Sequence, residues 1–280
     1  MTVPFVVAEG LGKVFTGRQN LLAHLRRQNP PTVRAVEAVS FSIQRGVTYA
    51  LVGESGSGKS TIARMVTGLL RPSAGSVRVD GLAMTGSSDA TAREMRRRRI
   101  QMVFQDPYSS LNPRWRVDAI IAEPIRALRL ANARHEVAER VADLLQLVGM
   151  HRADGEKYPH EFSGGQRQCI AIARTLATNA EFVVCDEPTS SLDVSVQAQI
   201  LNLMRDLQDR QGLTYLFISH NLAVVRYIAD EIGVLHQGRI VESGTAAEIL
   251  EAPCHQYTRR LVAAVPMVPE TVGPVAAHVG

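Results

Sequence analysis

GESGSGKST, Gly53 to Thr61, is the stretch whose reading decides the fold of this chain. It fits G-x-x-x-x-G-K-[ST] at Gly53, Gly58, Lys59 and Ser60, a P-loop when it joins a strand to a helix. Both flanks are there. Tyr49 to Val52 reads as a short buried strand, and the run after Lys59 puts Ile62, Met65, Val66 and Leu69 on one helical face. Glycines at 53, 56 and 58 let the backbone curl closely round phosphate oxygens. Consecutive N–H groups along Gly53, Glu54, Ser55, Gly56, Ser57, Gly58, Lys59, Ser60 and Thr61 then face an anion at the positive end of a helix dipole. Lys59 is expected to reach the β- and γ-phosphates and the Ser60 hydroxyl to ligate Mg²⁺. The implied chemistry is nucleotide binding.

Composition sets the outer bounds. With 280 residues, 45% hydrophobic and 21% charged, the chain is globular and long enough for one large domain or two lobes. No apolar run approaches the length of a membrane span, and MTVPFVVAEG lacks the basic and apolar regions of a secretion signal. Three cysteines, Cys169, Cys185 and Cys254, form no CxxC pair, which fits a reduced setting and rules out a four-cysteine cluster within one chain. The net charge of +4 permits, without requiring, an acidic partner or an anionic membrane surface.

Residues 3–15 read as a first strand and 36–44, alternating apolar and polar, as an antiparallel half-exposed strand. The polar, basic segment Gly17 to Thr32 reads as a surface insertion. SVRVDG gives a short strand with a turn at Asp80-Gly81. A helix over 89–99 carries Arg93 and Arg96 to Arg99, either a solvated face or a nucleic-acid or lipid site, the solvated face being the expectation. Gln101 to Gln105 reads as a strand, followed by a proline-rich loop, DPYSSLNP, to Pro113, after which 116–178 is mostly helical pattern, including 119–130 and 134–148. At FVVCD, 182–186, a continuous apolar run marks a strand buried on both faces of a parallel sheet. Helix 194–211, strand 214–218, helix 221–229 and strands 231–236 and 239–243 complete an α/β layered fold. Past residue 251 the tail is polar, then small and apolar, its last dozen residues expected to be mobile.

A P-loop needs an acidic partner on a neighbouring strand. Asp186 closes FVVCD and is expected to hold Mg²⁺, with Glu187 beside it to polarise the attacking water. Phe162 to Gln166, FSGGQ, opens a helix that Ser163 can cap, and Gly164 and Gly165 leave the first N–H groups open as a second anion site. His220, before the capping residue Asn221, reads either as structural or as part of a site.

GESGSGKST, Gln105, FSGGQ, FVVCDEP, SSLD at Ser190 to Asp193 and His220 stand in the order and approximate spacing of ATPase domains of the ABC family, which the chain resembles over nearly its whole length. Only Phe162 departs from the usual LSGGQ. The resemblance implies an α/β P-loop NTPase fold, with a RecA-like core over 1–105 and 176–250, an antiparallel β subdomain, an inserted α-helical subdomain over 106–175 and a tail over 251–280. It implies ATP and Mg²⁺ as ligands, with Ser60, Gln105 and Asp186 at the metal and Glu187, His220 and Gln105 in catalysis. ATP would be clamped in a head-to-tail dimer between the P-loop of one subunit and Ser163, Gly164, Gly165 and Gln166 of the other. Asp193 would couple the two sites, and Phe15 would stack on adenine.

FQDPYSSLNPR after Gln105, the 17–32 insertion and the tail APCHQYTRRLVAAVP resemble the ATP-binding subunits of dipeptide and oligopeptide importers, with Gln256 in place of the proline of an HPYT motif. Nickel-chelate, glutathione and other small-solute importers share that subfamily. Some of its members carry a cysteine cluster in the tail, which Cys254 alone does not reproduce. The implied partners are two transmembrane permease subunits, a second ATPase subunit, identical or different, and indirectly an extracytoplasmic solute-binding protein, at the cytoplasmic face of the plasma membrane. A coupling helix of the permease is expected at Ser109 to Trp115, where Trp115 marks the groove or belongs to the core. Competing readings are a soluble ABC ATPase acting on nucleic acid, which the absence of a second P-loop and of heptads disfavours, and an exporter subunit. No nucleic-acid partner is expected.

Overall fold

The computed structural model describes residues 3–16, 31–84 and 90–264, and their strands form two sheets. β1 (Val6–Thr16), β2 (Thr32–Ile43), β4 (Ala74–Val79) and β5 (Leu82–Ala83) make an antiparallel sheet in the order β2-β1-β4-β5. The second sheet has the order β10-β9-β3-β8-β7-β6, from β3 (Thr48–Val52), β6 (Ile100–Val103), β7 (Phe182–Asp186), β8 (Thr214–Ser219), β9 (Glu231–His236) and β10 (Arg239–Thr245). Its five strands from β9 to β6 run parallel, and β10 closes one edge antiparallel.

The apolar runs explain this layering. Every residue of β3, β7 and β8 is buried, so each strand needs cover on both faces. Leu51, Phe182, Val184, Leu216 and Ile218 pack with the antiparallel sheet and α1 (Lys59–Val66), whose Ile62, Met65 and Val66 form its inner stripe. Val183, Cys185, Tyr215 and Phe217 point the opposite way. They join one continuous cluster with α4 (Val117–Ala127), α5 (Arg134–Leu147), α6 (Gly164–Leu176) and α7 (Val194–Gln211). The helical block is thus welded to the sheet by a shared core. A third cluster joins Ala50 and Val52 to α8 (Leu222–Ile228) and α9 (Ala246–Glu251).

Between β6 and β7 the chain is helix and turn; the helical pattern from 116 on holds, but the proline-rich stretch expected to be a loop begins with a short helix, α3 (Pro107–Ser110). Other boundaries differ, each for a visible reason. The first hairpin is longer than expected, because pairing runs outward to Thr16 opposite Thr32. β6 stops at Val103, short of Gln105, where Phe104 and Gln105 turn outward and the Asp106 carboxylate accepts the Tyr108 N–H at 2.9 Å to cap α3. α4 closes at Ala127, since Arg129 takes a positive φ and the Leu130 N–H returns to the Ile125 carbonyl at 2.9 Å. Residues 256–263, read simply as tail, form α10 (Gln256–Ala263). The basic insertion and the end of the tail fall mainly on 17–30 and 265–280, outside the described residues.

The expectation of a solvated arginine face on α2 (Ala90–Arg99) is corrected for Arg96, Arg98 and Arg99, whereas Arg97 is exposed. Arg96 donates to the Met84 carbonyl at 2.7 Å, and Arg98 to the Leu128 carbonyl at 3.0 Å. Arg99 grips Glu181 through Nε at 2.5 Å and Nη2 at 2.8 Å, and reaches Asp80 at 2.7 Å. Arg45 joins from the β2–β3 turn, 2.6 Å from Glu181, with its guanidinium 3.9 Å from the centroid of the Phe5 ring. Arg98 also pairs locally with Glu94 at 2.9 Å, but the partners of Arg99 and Arg45 are distant in sequence, so the tie between the two sheets was invisible in the run RRRR.

The Arg99 hydrogen bond holds the Glu181 carboxyl below its ordinary value, against the upward pull of burial. A depressed carboxyl contributes stability above its unfolded-state pKa and loses it as pH falls through the folded-state value. Glu181→Gln is therefore expected to lower unfolding free energy by about 1 kcal/mol at neutral pH, a figure discounted because the side chain is 36% exposed. Denaturant titrations check this: the gap to wild type should close on acidification through the carboxylate range.

Candidate functional site

β3 delivers the P-loop. Gly53 follows its last residue at φ 153°, and a Cβ there would lie 2.1 Å from the Leu235 carbonyl oxygen, so only glycine lets the loop pass beside β9. Glu54, Ser55 and Gly56 form an exposed rim, Ser57 and Lys59 are buried, Thr61 is half-buried and Ser60 is open to solvent. The turn is tied by the Ser57 N–H to the Glu54 carbonyl at 3.2 Å and by the Gly238 N–H to the Ser57 carbonyl at 3.0 Å. Lys59 Nζ donates to the carbonyls of Gly53 at 2.7 Å and Glu54 at 2.8 Å. Burial pulls its pKa down, while Glu187, Asp186 and Glu54 oppose that shift.

Both carboxylates come from the end of β7, which β8 separates from β3, so the acidic strand is not, as expected from sequence, the immediate neighbour of the P-loop strand. Asp186 ends β7 almost fully buried and accepts the Ser60 hydroxyl at 3.0 Å. Burial pushes its pKa up, the Ser60 bond works against this, and the Glu187 charge adds to the rise. Glu187 follows at φ 49°, a left-handed conformation that costs an L-residue roughly 1–2 kcal/mol. Its N–H is anchored on the Ile218 carbonyl at 3.0 Å. Two side chains then hold the carboxylate from opposite flanks: Gln105 Nε2 lies 3.2 Å from Oε2 and His220 Nδ1 3.1 Å from Oε1. Ser190, not expected from sequence, donates to the Glu187 carbonyl at 3.1 Å and accepts from Gln105 at 3.4 Å. Asn221 caps α8 through the Ala223 N–H at 3.0 Å, fixing the bend that carries His220.

The oxygen donors of Ser60, Asp186 and Gln105 suit a hard cation such as Mg²⁺. Among the described residues no group of three or more His, Cys, Asp and Glu could hold a metal by itself.

Ser163 to Gln166 belong to a different part of the surface. Ser163 accepts the Gln166 N–H at 3.3 Å and the Gln166 side chain accepts the Ser163 N–H at 3.0 Å, a reciprocal cap on α6. Phe162 is buried beneath it. Asp193 caps α7 by accepting from the Val196 N–H at 3.0 Å and the Ser195 hydroxyl at 2.8 Å, and these bonds, the Val196 one foremost, lower its pKa. The two caps touch: Gly165 sits so near Val196 that a Cβ would come within 2.3 Å of Cγ1. No hydrogen bond among the described residues links this unit to Gly53 to Thr61.

Phe15 is 42% exposed near the end of β1, paired with Val33, with Lys13 Nζ 5.3 Å from its ring centroid. The same β2 brings the Ala35 carbonyl within 2.4 Å of where a Gly58 Cβ would lie, so the hairpin lies along the flank of the P-loop. Trp115 is 45% exposed and so is not a core residue. Phe104 and Tyr108, earlier in the stretch after β6, are exposed as well. A cleft of about 750 Å³ in this region runs between α1, α2, β6 and the helical block. Sequence reading missed Tyr257, whose hydroxyl accepts the Glu54 N–H at 3.1 Å. The signal available was the Tyr257, Leu261, Val262 stripe behind the His255 cap.

A family model described as "ABC transporter" matches residues 36–190. The oligopeptide transport ATP-binding protein OppF of Bacillus subtilis is 49% identical over 236 residues, covering 84% of this chain and 77% of that protein. The dipeptide transport ATP-binding protein DppF of Haemophilus influenzae is 46% identical over 263 residues, covering 94% and 78%. Among solved structures, the dimeric post-hydrolysis state of the ATP-binding cassette MJ0796 with ADP and Pi superposes with a TM-score of 0.74 at 26% identity, covering 86% of this chain and 98% of that one. CbiO1 from Clostridium perfringens, part of the ABC transporter complex cbiONQ, gives 0.72 at 26% identity, covering 88% and 90%.

The Gly165–Val196 contact yields a direct test. A Cβ at 165 meets a β-branched side chain that cannot swing away, so Gly165→Ala should destabilise by about 1–3 kcal/mol. Adding Val196→Ala should recover much of that loss, and a double-mutant cycle by chemical denaturation measures the coupling.

Proposed function

The chain belongs to the ABC transporter family, and from that premise we propose that it is the ATP-hydrolysing subunit of a membrane importer of dipeptides, oligopeptides or related small solutes. The observation that carries the catalytic part is the Glu187 carboxylate, gripped by Gln105 and His220 one residue beyond the Asp186–Ser60 bond. The P-loop amides and the Lys59 ammonium bind and neutralise the phosphates of ATP. Glu187 then takes the proton from the attacking water, oriented by the two side chains that fix its oxygens. Ser60 and Asp186, with Gln105, would hold Mg²⁺, which when bound neutralises charge on the phosphates. Phe15, along the P-loop flank, supplies an exposed ring for adenine.

The Ser163 to Gln166 unit offers its capped helix end to the ATP of a second subunit, and Asp193, packed against it through Gly165 and Val196, couples the two sites. Whether that second subunit is a copy of this chain or a related ATPase, closure about ATP drives the movement. Phe104, which lines the cleft, and the exposed Tyr108 and Trp115 that follow it in the chain supply the docking surface for two permease subunits at the cytoplasmic face of the membrane, with a solute-binding protein acting on the far side. Peptide specificity is taken from OppF and DppF and resides in those partners, not in this chain. Nucleic-acid work is disfavoured, because Arg96, Arg98 and Arg99 are spent on internal contacts.

Glu187→Gln is expected to keep ATP binding, lose about 10²–10⁴-fold in steady-state hydrolysis and accumulate as a closed dimer on gel filtration with ATP. Normal turnover in that variant would overturn the general-base assignment. Lys59→Ala should lose nucleotide affinity in an equilibrium binding assay. Affinity capture from gently solubilised host membranes should recover two multi-span permeases; ribosomes or nucleic acid alone would sink the importer reading.

A further inference from the structure

The sequence gives no reason to connect the tail with the P-loop, which lie some two hundred positions apart in the chain. In the structure they touch. Glu242 on β10 accepts the N–H groups of Cys254 at 2.6 Å and His255 at 3.0 Å, which fixes the turn into α10. His255 Nδ1 then caps the helix by accepting the Tyr257 N–H at 3.1 Å. Leu261 and Val262 pack on the cluster around Ile249 and Leu250, and Thr258 is fully buried. The Tyr257 ring lies against His236 at the end of β9, centroids 3.9 Å apart, and its hydroxyl accepts the Glu54 N–H at 3.1 Å.

That last bond falls on a telling atom. The Glu54 N–H and the Gly53 carbonyl are the two edges of one rigid peptide plane. Lys59 Nζ donates to that Gly53 carbonyl at 2.7 Å. Turning the plane therefore moves the acceptor that aims the ammonium. From this geometry we infer that Tyr257 is a positioning residue for ATP: it pins the Gly53–Glu54 peptide and, through it, the Lys59 ammonium, making nucleotide affinity depend on the docked tail helix. Glu242 acts behind it by holding the turn that presents Tyr257. Neither touches the Glu187 constellation, so the inference concerns binding and leaves the hydrolytic step to Gln105, Glu187 and His220. It rests on the P-loop being the ATP site.

The test compares wild type, Tyr257→Phe and Glu242→Gln in full-length protein, with a fluorescent ATP analogue for Kd, steady-state hydrolysis for KM and kcat, and thermal unfolding for integrity. Tyr257→Phe keeps the ring on His236 and deletes only the hydroxyl. Loss of one hydrogen bond predicts a rise in Kd and KM of about three- to tenfold, with kcat within about twofold and the unfolding midpoint unmoved. Glu242→Gln should shift Kd in the same direction. A Tyr257→Phe protein with wild-type Kd and KM overturns the inference. So does a lower kcat and midpoint at unchanged KM, the mark of a merely structural tail. Wild-type protein that binds no nucleotide overturns this inference and the ATPase reading together, whereas wild-type binding with an unaltered variant overturns this inference alone.

Discussion

Parallel strand register is the constraint on which the site depends. Val52 of β3 is level with Ser219 of β8, Ile218 of β8 with Asp186 of β7, and Cys185 of β7 with Val103 of β6. Four neighbouring strands therefore end at one edge of the sheet. The residues just beyond those ends are Gly53, His220, Glu187 and Gln105, three of which interact directly and the fourth of which opens the P-loop. A slip of one residue in any strand would turn its side chains to the other face and withdraw one member of this set. Because β3, β7 and β8 are buried throughout, burial of apolar residues on both faces enforces the register.

Around this edge the structure keeps acidic groups close together. Asp186 and Glu187 are adjacent, and burial already disfavours the charge on Asp186. Lys59 sits among them, and its own charge is disfavoured by burial too. Such an arrangement is suited to a ligand that carries both signs, phosphate oxygens for Lys59 and a divalent cation for Asp186. The left-handed backbone at Glu187 fits the same logic: the strain is tolerated because the Ile218 carbonyl, Gln105, Ser190 and His220 all over-determine its position.

What was legible in the sequence was whatever is encoded locally. The P-loop glycines, the apolar run of β7, the cap of α6 by Ser163 and the eighteen residues of α7 each follow from neighbours within a few positions. Contacts between distant segments were not legible. Arg99 looked like one of four solvated arginines until Glu181 and Asp80 were brought to it by the fold. Gln105 looked like the end of a strand, whereas β6 ends earlier and the capped turn at Asp106 follows it. The stripe of Tyr257, Leu261 and Val262 could mark a helix, but nothing in it pointed to the P-loop, since the partner of the Tyr257 hydroxyl is the backbone amide of Glu54.

The division of groups between two surfaces bears on why one chain does not suffice. Lys59, Asp186, Glu187, Gln105 and His220 converge through bonds made within a single subunit, so the base is preorganised without a partner. The capped end of α6 is equally well built, yet its anchors are Leu192 and Val196 on the segment opening α7 rather than anything in the P-loop. In the proposed role this helix end, held away from the P-loop, would meet phosphates only when a second subunit presents its own. Asp193 lies between the two arrangements: Ser190 and Glu187 are a few residues before it in the chain, and Val196, on which Gly165 rests, a few residues after. A shift of the α6 end on meeting a partner's ATP would press first on Val196 and the Asp193 cap, and from there on the loop that holds Glu187. On the proposed two-subunit reading, the short, tightly capped stretch from Glu187 to Val196 is the route by which occupancy of one site would reach the base of the other.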